Sequence, residues 1–169
     1  SRQQSQEGNY WDTFIKFNFD YDKRNQKFKT DDGFRSSYNL DLPLVSDTYT
    51  LTNTYNYKYY TSLYDNNITS LSLFLQSANS INNKDVKLTE RLFLPSSKLR
   101  GFEAGKFGPK DGEEYVGGNF GSALNLNSTL PNILSGNENI DLNLFFDAAT
   151  LREVAVSYTH LTLPTIVRV

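Results

Sequence analysis

The chain contains no cysteine and only one histidine among its 169 residues. Disulfides and thiolate metal sites are thereby excluded, and a histidine-based metal or catalytic centre has too few ligands to form. Long apolar runs are missing as well, so no transmembrane helix is expected. The opening SRQQSQEGNYW lacks the charged-then-apolar order of a signal peptide and reads like the middle of a longer protein. An excess of positive charge is also absent. With a net charge of −2 and no basic patch, nucleic acid is not an expected partner. Neither a cofactor nor a catalytic residue is expected. At 38% hydrophobic and 21% charged residues, the composition is otherwise that of an ordinary folded protein.

What is present is a period of two. In YWDTFIKFNFDY, Trp11, Ile15, Phe17, Phe19 and Tyr21 share one face, while Asp12, Lys16, Asn18 and Asp20 share the other. Successive strand side chains point to opposite faces, so this is a strand with one apolar side. The pattern recurs at 34–44 (Phe34, Tyr38, Leu40, Leu42, Leu44) and at 49–59 (Leu51, Tyr55, Tyr57, Tyr59). Further strands are predicted at 67–77, 86–94 (Val86, Leu88, Leu92, Leu94), 118–130 and 138–147 (Ile140, Leu142, Leu144, Phe146), about seven in all. Turn-forming stretches such as TDDG, YDNN and LSGNEN separate them, and helical periodicity is hard to find.

The end of the chain has another character. VSYTHLTLPT, residues 156–165, back-translates into a transposon-end sequencing adapter, and Ala155 fits the preceding bases. The expected organisation is therefore a β-barrel fragment over 1–154 and a non-native adapter read-through over 155–169. The alternative is a genuine β-rich tail. On the adapter reading His160 is not biological, and catalysis that depends on it fails with it.

Two architectures carry such alternation: a soluble sandwich with apolar faces inward, or a membrane barrel with apolar faces toward lipid and polar faces toward a wet lumen. The polar faces favour the barrel, since they carry Asp, Lys, Asn and Thr in every strand; Lys16, Asp20, Asp41 and Lys58 read as lumen-lining charges. Aromatic residues also gather toward strand ends (Tyr10, Trp11, Tyr21, Tyr57, Tyr59, Tyr60), as an interfacial girdle would require. The fold class is thus all-β, a partial antiparallel transmembrane β-barrel. Alternation of short turns and long loops assigns 22–33, 61–66 and 95–117 to the outside and 45–48, 78–85 and 132–137 to the inside.

Several stretches in order, YDKRNQKFKTDDGFRSSYNLDLP, LPSSKLRGFEAGKFGPKDGEEYVGGN, LPN and LNLFFDAATL, carry a resemblance over most of residues 9 to 151. Together they resemble the carboxy-terminal barrel of the BamA family of outer-membrane protein assembly factors, in the bacterial surface antigen superfamily. RGF alone would be weak; RGF followed by GPKDG, GGN and a strand ending in Phe-Phe-Asp is specific. The resemblance implies about the seventh to thirteenth strands of a sixteen-strand barrel, without the earlier strands, the POTRA domains or the last three strands. It implies location in the bacterial outer membrane. The partners it implies are outer-membrane lipids, unfolded outer-membrane protein clients and accessory assembly lipoproteins. The implied role is insertion and folding of those clients without covalent chemistry. Alternatives are a translocation or secretion pore of the same superfamily, TamA-like or of the two-partner secretion type, and a passive porin.

The resemblance also implies that the loop carrying Arg100, Gly101 and Phe102 folds back into the lumen, its arginine held by acidic groups on neighbouring strands. Asp147 has the parity of a lumenal residue and is the expected partner; Asn127 stands where the family commonly has an acid that also contacts the arginine, and Glu90 is a possible substitute. Phe102 would plug an apolar recess. Gly105, Gly108 and Pro109 would shape the loop, and Gly117, Gly118 and Asn119 would mark its return into the next strand. Without the resemblance, Arg100 reads as a solvated loop arginine and Asp147 as a strand-end cap.

Overall fold

In the computed structural model the described residues are 13–46, 49–81, 85–130 and 142–153, with the backbone of 166–168. The alternating segments form β1 (Thr13–Asp22), β2 (Gly33–Val45), β3 (Thr50–Thr61), β4 (Ile68–Ser80), β7 (Phe120–Leu130) and β8 (Leu142–Arg152), while β5 (Lys110–Asp111) and β6 (Glu114–Tyr115) make a small separate hairpin. A three-residue β9 (Ile166–Arg168) completes a sheet of order β1-β2-β3-β4-β7-β8-β9, antiparallel throughout. Strands of 10 to 13 residues match the ~9–11 that a tilted strand needs to cross a bilayer. Among the described residues no helix is long and apolar enough to cross a membrane.

The registers sort side chains onto two faces. On one, Phe17, Phe19, Tyr21, Leu71, Leu124, Leu126, Leu142 and Leu144 are large, apolar and exposed, which water would penalise and lipid rewards. On the other face, a single row crosses the sheet in register: Asp22, Arg35, Lys58, Ser72, Asn125 and Asp147. Tyr21, Phe34 and Tyr57 pack ring to ring at 5.8 and 5.7 Å near one rim of the apolar face, as an interfacial girdle does. Tyr60 departs from the expected girdle: its parity turns it inward, where its ring lies 4.9 Å from the Lys58 ammonium. Tyr10, Trp11, Ile140 and His160 lie outside the described residues.

The strand expected at 86–94 does not form. Leu88–Glu90 is a 3-10 turn, and Leu92 makes only an isolated bridge to Gly118. The reason is edge availability. β4 pairs with β3 along one edge and with β7 along the other, from Ile68 opposite Thr129 to Ser77 opposite Phe120, so no edge remains for 86–94. The apolar side chains that mimic a strand, Val86 and Leu94, are instead buried, Leu94 in a cluster with Phe74 and Ala123 of the sheet.

Removing that strand changes the rims. The chain between β4 and β7 leaves from the same rim as the β2–β3 turn, and Ile81 donates its N–H to the Tyr49 carbonyl at 2.8 Å. The connections 23–32 and 62–67 lie at the opposite rim. The grouping of 95–117 with 22–33 and 61–66 is therefore corrected, and 78–85 and 95–117 belong to one connection; 132–137 lies outside the described residues. At the opposite rim Asn67 is fully buried and fastens the turn. Its Oδ1 accepts from Leu63 N–H (3.2 Å) and the Thr69 hydroxyl (2.8 Å), and its Nδ2 donates to Thr129 O (2.6 Å) and Ser128 Oγ (3.0 Å).

Candidate functional site: the loop on the inner face

The connection between β4 and β7 is fastened at its base by backbone hydrogen bonds. Leu92 and Gly118 exchange a pair at 2.7 and 2.9 Å, Ala78 N–H donates to Asn119 O at 2.8 Å, and Asn119 N–H donates to Arg152 O at 2.9 Å. Gly118 is where three chain segments meet: a Cβ there would sit 2.4 Å from the Arg152 carbonyl oxygen, a backbone atom that cannot move aside cheaply. Gly117 lies beside Leu92 and Phe93, and Gly108 sits against the Leu151 side chain. Pro109 accepts the Val116 N–H at 3.0 Å and so closes the β5–β6 hairpin.

Above this base the loop contributes Leu94 and Leu99 to a buried cluster with Phe74, Ala123, Ala149 and Leu151 of the sheet, and Phe102 and Phe107 pack against it. The two phenylalanine rings meet edge to face, 5.7 Å apart at 75°. An aromatic pair of this kind adds about 0.5–1.5 kcal/mol beyond its area burial. The apolar plug explains why the loop lies on the sheet instead of in water.

Beside the plug, polar groups fix the orientation. Gly101 takes a positive φ of 83°, a backbone state that costs glycine little, and so turns the chain directly after Arg100. Arg100 Nε donates to Asp147 Oδ2 at 2.7 Å and Nη2 to Oδ1 at 2.6 Å, a fork on both carboxylate oxygens, and the Arg100 backbone N–H reaches Oδ2 at 3.2 Å. The guanidinium carbon lies 3.8 Å from the centre of the Phe145 ring, and stacking and forked pairing together are what arginine does and lysine does not. The Asp147 side chain is 4% exposed and that of Arg100 is 37% exposed. Hydrogen bonding to Asp147 raises the Arg100 pKa further above its ordinary value, so the arginine stays charged.

The second amide on Asp147 is Asn125. Its Nδ2 donates to Asp147 Oδ1 at 2.8 Å and to the Lys98 carbonyl at 2.9 Å, joining strand, carboxylate and loop backbone. Asn127 shares that face but sits one register step away, opposite Phe145 and Ser70. Glu90 is also elsewhere, accepting from the Thr50 hydroxyl at 2.5 Å. Sequence reasoning missed Asn125 and Phe145. Their signal was parity, since both share the face of Asp147, but only the β7–β8 register puts Asn125 directly opposite it. Among the described residues no group of His, Cys, Asp or Glu gathers that could hold a metal ion.

A family model described as the Omp85 superfamily domain matches residues 1–160. The chain belongs to the Omp85 superfamily. Among solved structures it is similar to the crystal structure of BamA from Haemophilus ducreyi lacking POTRA domains 1–3, with a TM-score of 0.70 and 22% sequence identity. That similarity covers 82% of this chain and 29% of the other, so the chain spans less than a third of that relative. No curated protein matches. Membership in the superfamily makes the sheet part of a β-barrel of the bacterial outer membrane, with its apolar face toward lipid and the row from Asp22 to Asp147 toward the lumen. The superfamily is one of assembly and transport.

Proposed function

We propose that the barrel containing this chain inserts and folds other outer-membrane β-barrels, using neither a nucleotide nor a covalent intermediate. The observation that carries this reading is the docked loop, which lies on the lumenal wall and is held by the Arg100–Asp147 fork. A passive channel gains from an open lumen. A barrel that must deform while it templates client strands needs an internal brace, because hydrocarbon cannot satisfy unpaired backbone groups and every transient edge must be managed. The partners this entails are outer-membrane lipids, unfolded barrel clients and accessory assembly lipoproteins.

The test is client insertion. With the full-length protein in liposomes, a urea-unfolded outer-membrane barrel is expected to fold severalfold more slowly when Arg100→Ala or Asp147→Ala is introduced. Unchanged insertion in both variants, with the loop shown to be released, would refute the role. Passage of a soluble polypeptide without client insertion would instead favour a secretion pore.

A further inference from the structure

Four cationic side chains converge on the lumenal side of β2 and β3. Arg24, Arg35, Lys58 and Lys98 line a cavity of about 270 Å³ together with Asn56 and Tyr60. Two of the four are neutralised by carboxylates of β1: Arg24 by Asp22 at 2.6 Å and Arg35 by Asp20 at 2.5 Å. The two lysines are not. Among the described residues neither ammonium has a carboxylate partner. Lys98 Nζ reaches only the Asn56 amide oxygen at 3.4 Å and the Phe74 ring at 4.9 Å, and Lys58 Nζ only the Tyr60 ring at 4.9 Å. Lys58 also stands directly opposite Arg35 in the β2–β3 register, a like-charge pair that weakens a sheet. Burial, and then the charge of Lys58, lower the Lys98 pKa.

Like charges gathered at one concave site are stabilised when an anion completes them. We propose that this cavity is an oxyanion-binding site in the lumen, taking a carboxylate or phosphate between Lys58 and Lys98. Lysines act on such groups as point charges, and the Tyr60 hydroxyl and Asn56 amide add donors at the wall. The position narrows the source. The cavity opens on the polar face, so a lipid headgroup on the opposite, apolar face does not reach it. The anion comes from the aqueous lumen, either as a free solute or as acidic side chains of a polypeptide within the barrel. Because Lys98 lies two residues before Arg100, an anion here also ties the loop to β3. This inference does not depend on the client-insertion role.

Calorimetric titration of the full-length barrel in detergent, with inorganic phosphate in one arm and a short amidated poly-aspartate peptide in the other, tests it. Saturable binding of either probe is expected, weakened about tenfold or more by Lys58→Gln and by Lys98→Gln, and partly restored by Lys58→Arg. Lys16→Gln, on the same face but paired with Asp41 at 3.1 Å, is expected to leave it unchanged. Tighter phosphate binding identifies a solute site; tighter peptide binding identifies a polypeptide site. If Lys98→Gln loosens the loop, seen as faster exchange of the Arg100 N–H, the Lys58 variants on the strand decide. No saturable binding of either probe, or binding indifferent to Lys58, would overturn the proposal.

Discussion

Replacing Arg100 by alanine removes two charge-assisted hydrogen bonds from a carboxylate that is almost wholly buried, and the consequence can be sized. Hydrogen bonds to charged groups contribute about 1.5–3 kcal/mol each, so the fork has a gross worth of about 3–6 kcal/mol. Two features reduce that figure. Arg100 is 37% exposed, so water already screens part of the interaction, and Asp147 keeps the Asn125 amide at 2.8 Å. A net loss of about 2–3 kcal/mol in loop docking follows, between an exposed ion pair and the ~3–5 kcal/mol of a fully buried pair broken on one side. The loop, not the sheet, bears this loss, because the strand ladders on either side are unaffected. Native-state hydrogen exchange on the full-length barrel reads it directly: amides at Arg100, Lys106 and Val116 are expected to exchange about 30- to 140-fold faster, while those of β7 and β8 hold. Arg100→Lys keeps the charge but loses the fork and the stacking on Phe145, and is expected to recover less than half of the effect. In a cycle with Asp147→Asn, the two single changes are expected to be strongly non-additive, with a coupling of about 2 kcal/mol. Additive effects, or an exchange change below about threefold, would refute the reasoning and make the pair a surface contact.

Other outcomes follow from the same geometry. Asn67→Ala leaves two donors at the β3–β4 turn and two acceptors on β7 without their partner and is expected to destabilise the barrel by about 2–4 kcal/mol, measured by urea unfolding in lipid vesicles. The chain itself has no cysteine, and single-cysteine labelling in an otherwise cysteine-free full-length protein can test the rims. If the long loop faces outward, Glu113→Cys at the hairpin tip reacts with an impermeant maleimide on intact cells, whereas Asp65→Cys reacts only after permeabilisation; the reverse pattern would invert the barrel. Resequencing the source DNA across codons 150 to 169 is expected to replace VSYTHLTLPT with other sequence, and recovery of the same codons from unamplified DNA would establish the tail as genuine.

The all-β class, the lipid and lumenal faces, and most strand positions were legible along the chain, because the alternation of Cβ directions is a local property of extended backbone. From Phe17 and Phe19 to Leu142 and Leu144, parity alone sorted outside from inside. The RGF stretch and Asp147 were likewise visible, one as a motif and the other by parity. Tertiary structure decided the rest. Val86 to Leu94 alternates as well as a strand does, yet β4 had already committed both edges, and hydrogen-bond capacity at an edge cannot be read from the segment that wants it. That one absence moved the loop to the other rim. The choice of Asn125 over Asn127, the Phe145 ring beneath Arg100, and the meeting of Lys58 with Lys98 all depend on cross-strand register and on where a docked loop comes to rest. Those are set by pairings between residues distant along the chain, and a period of two is the same in every register that differs by two.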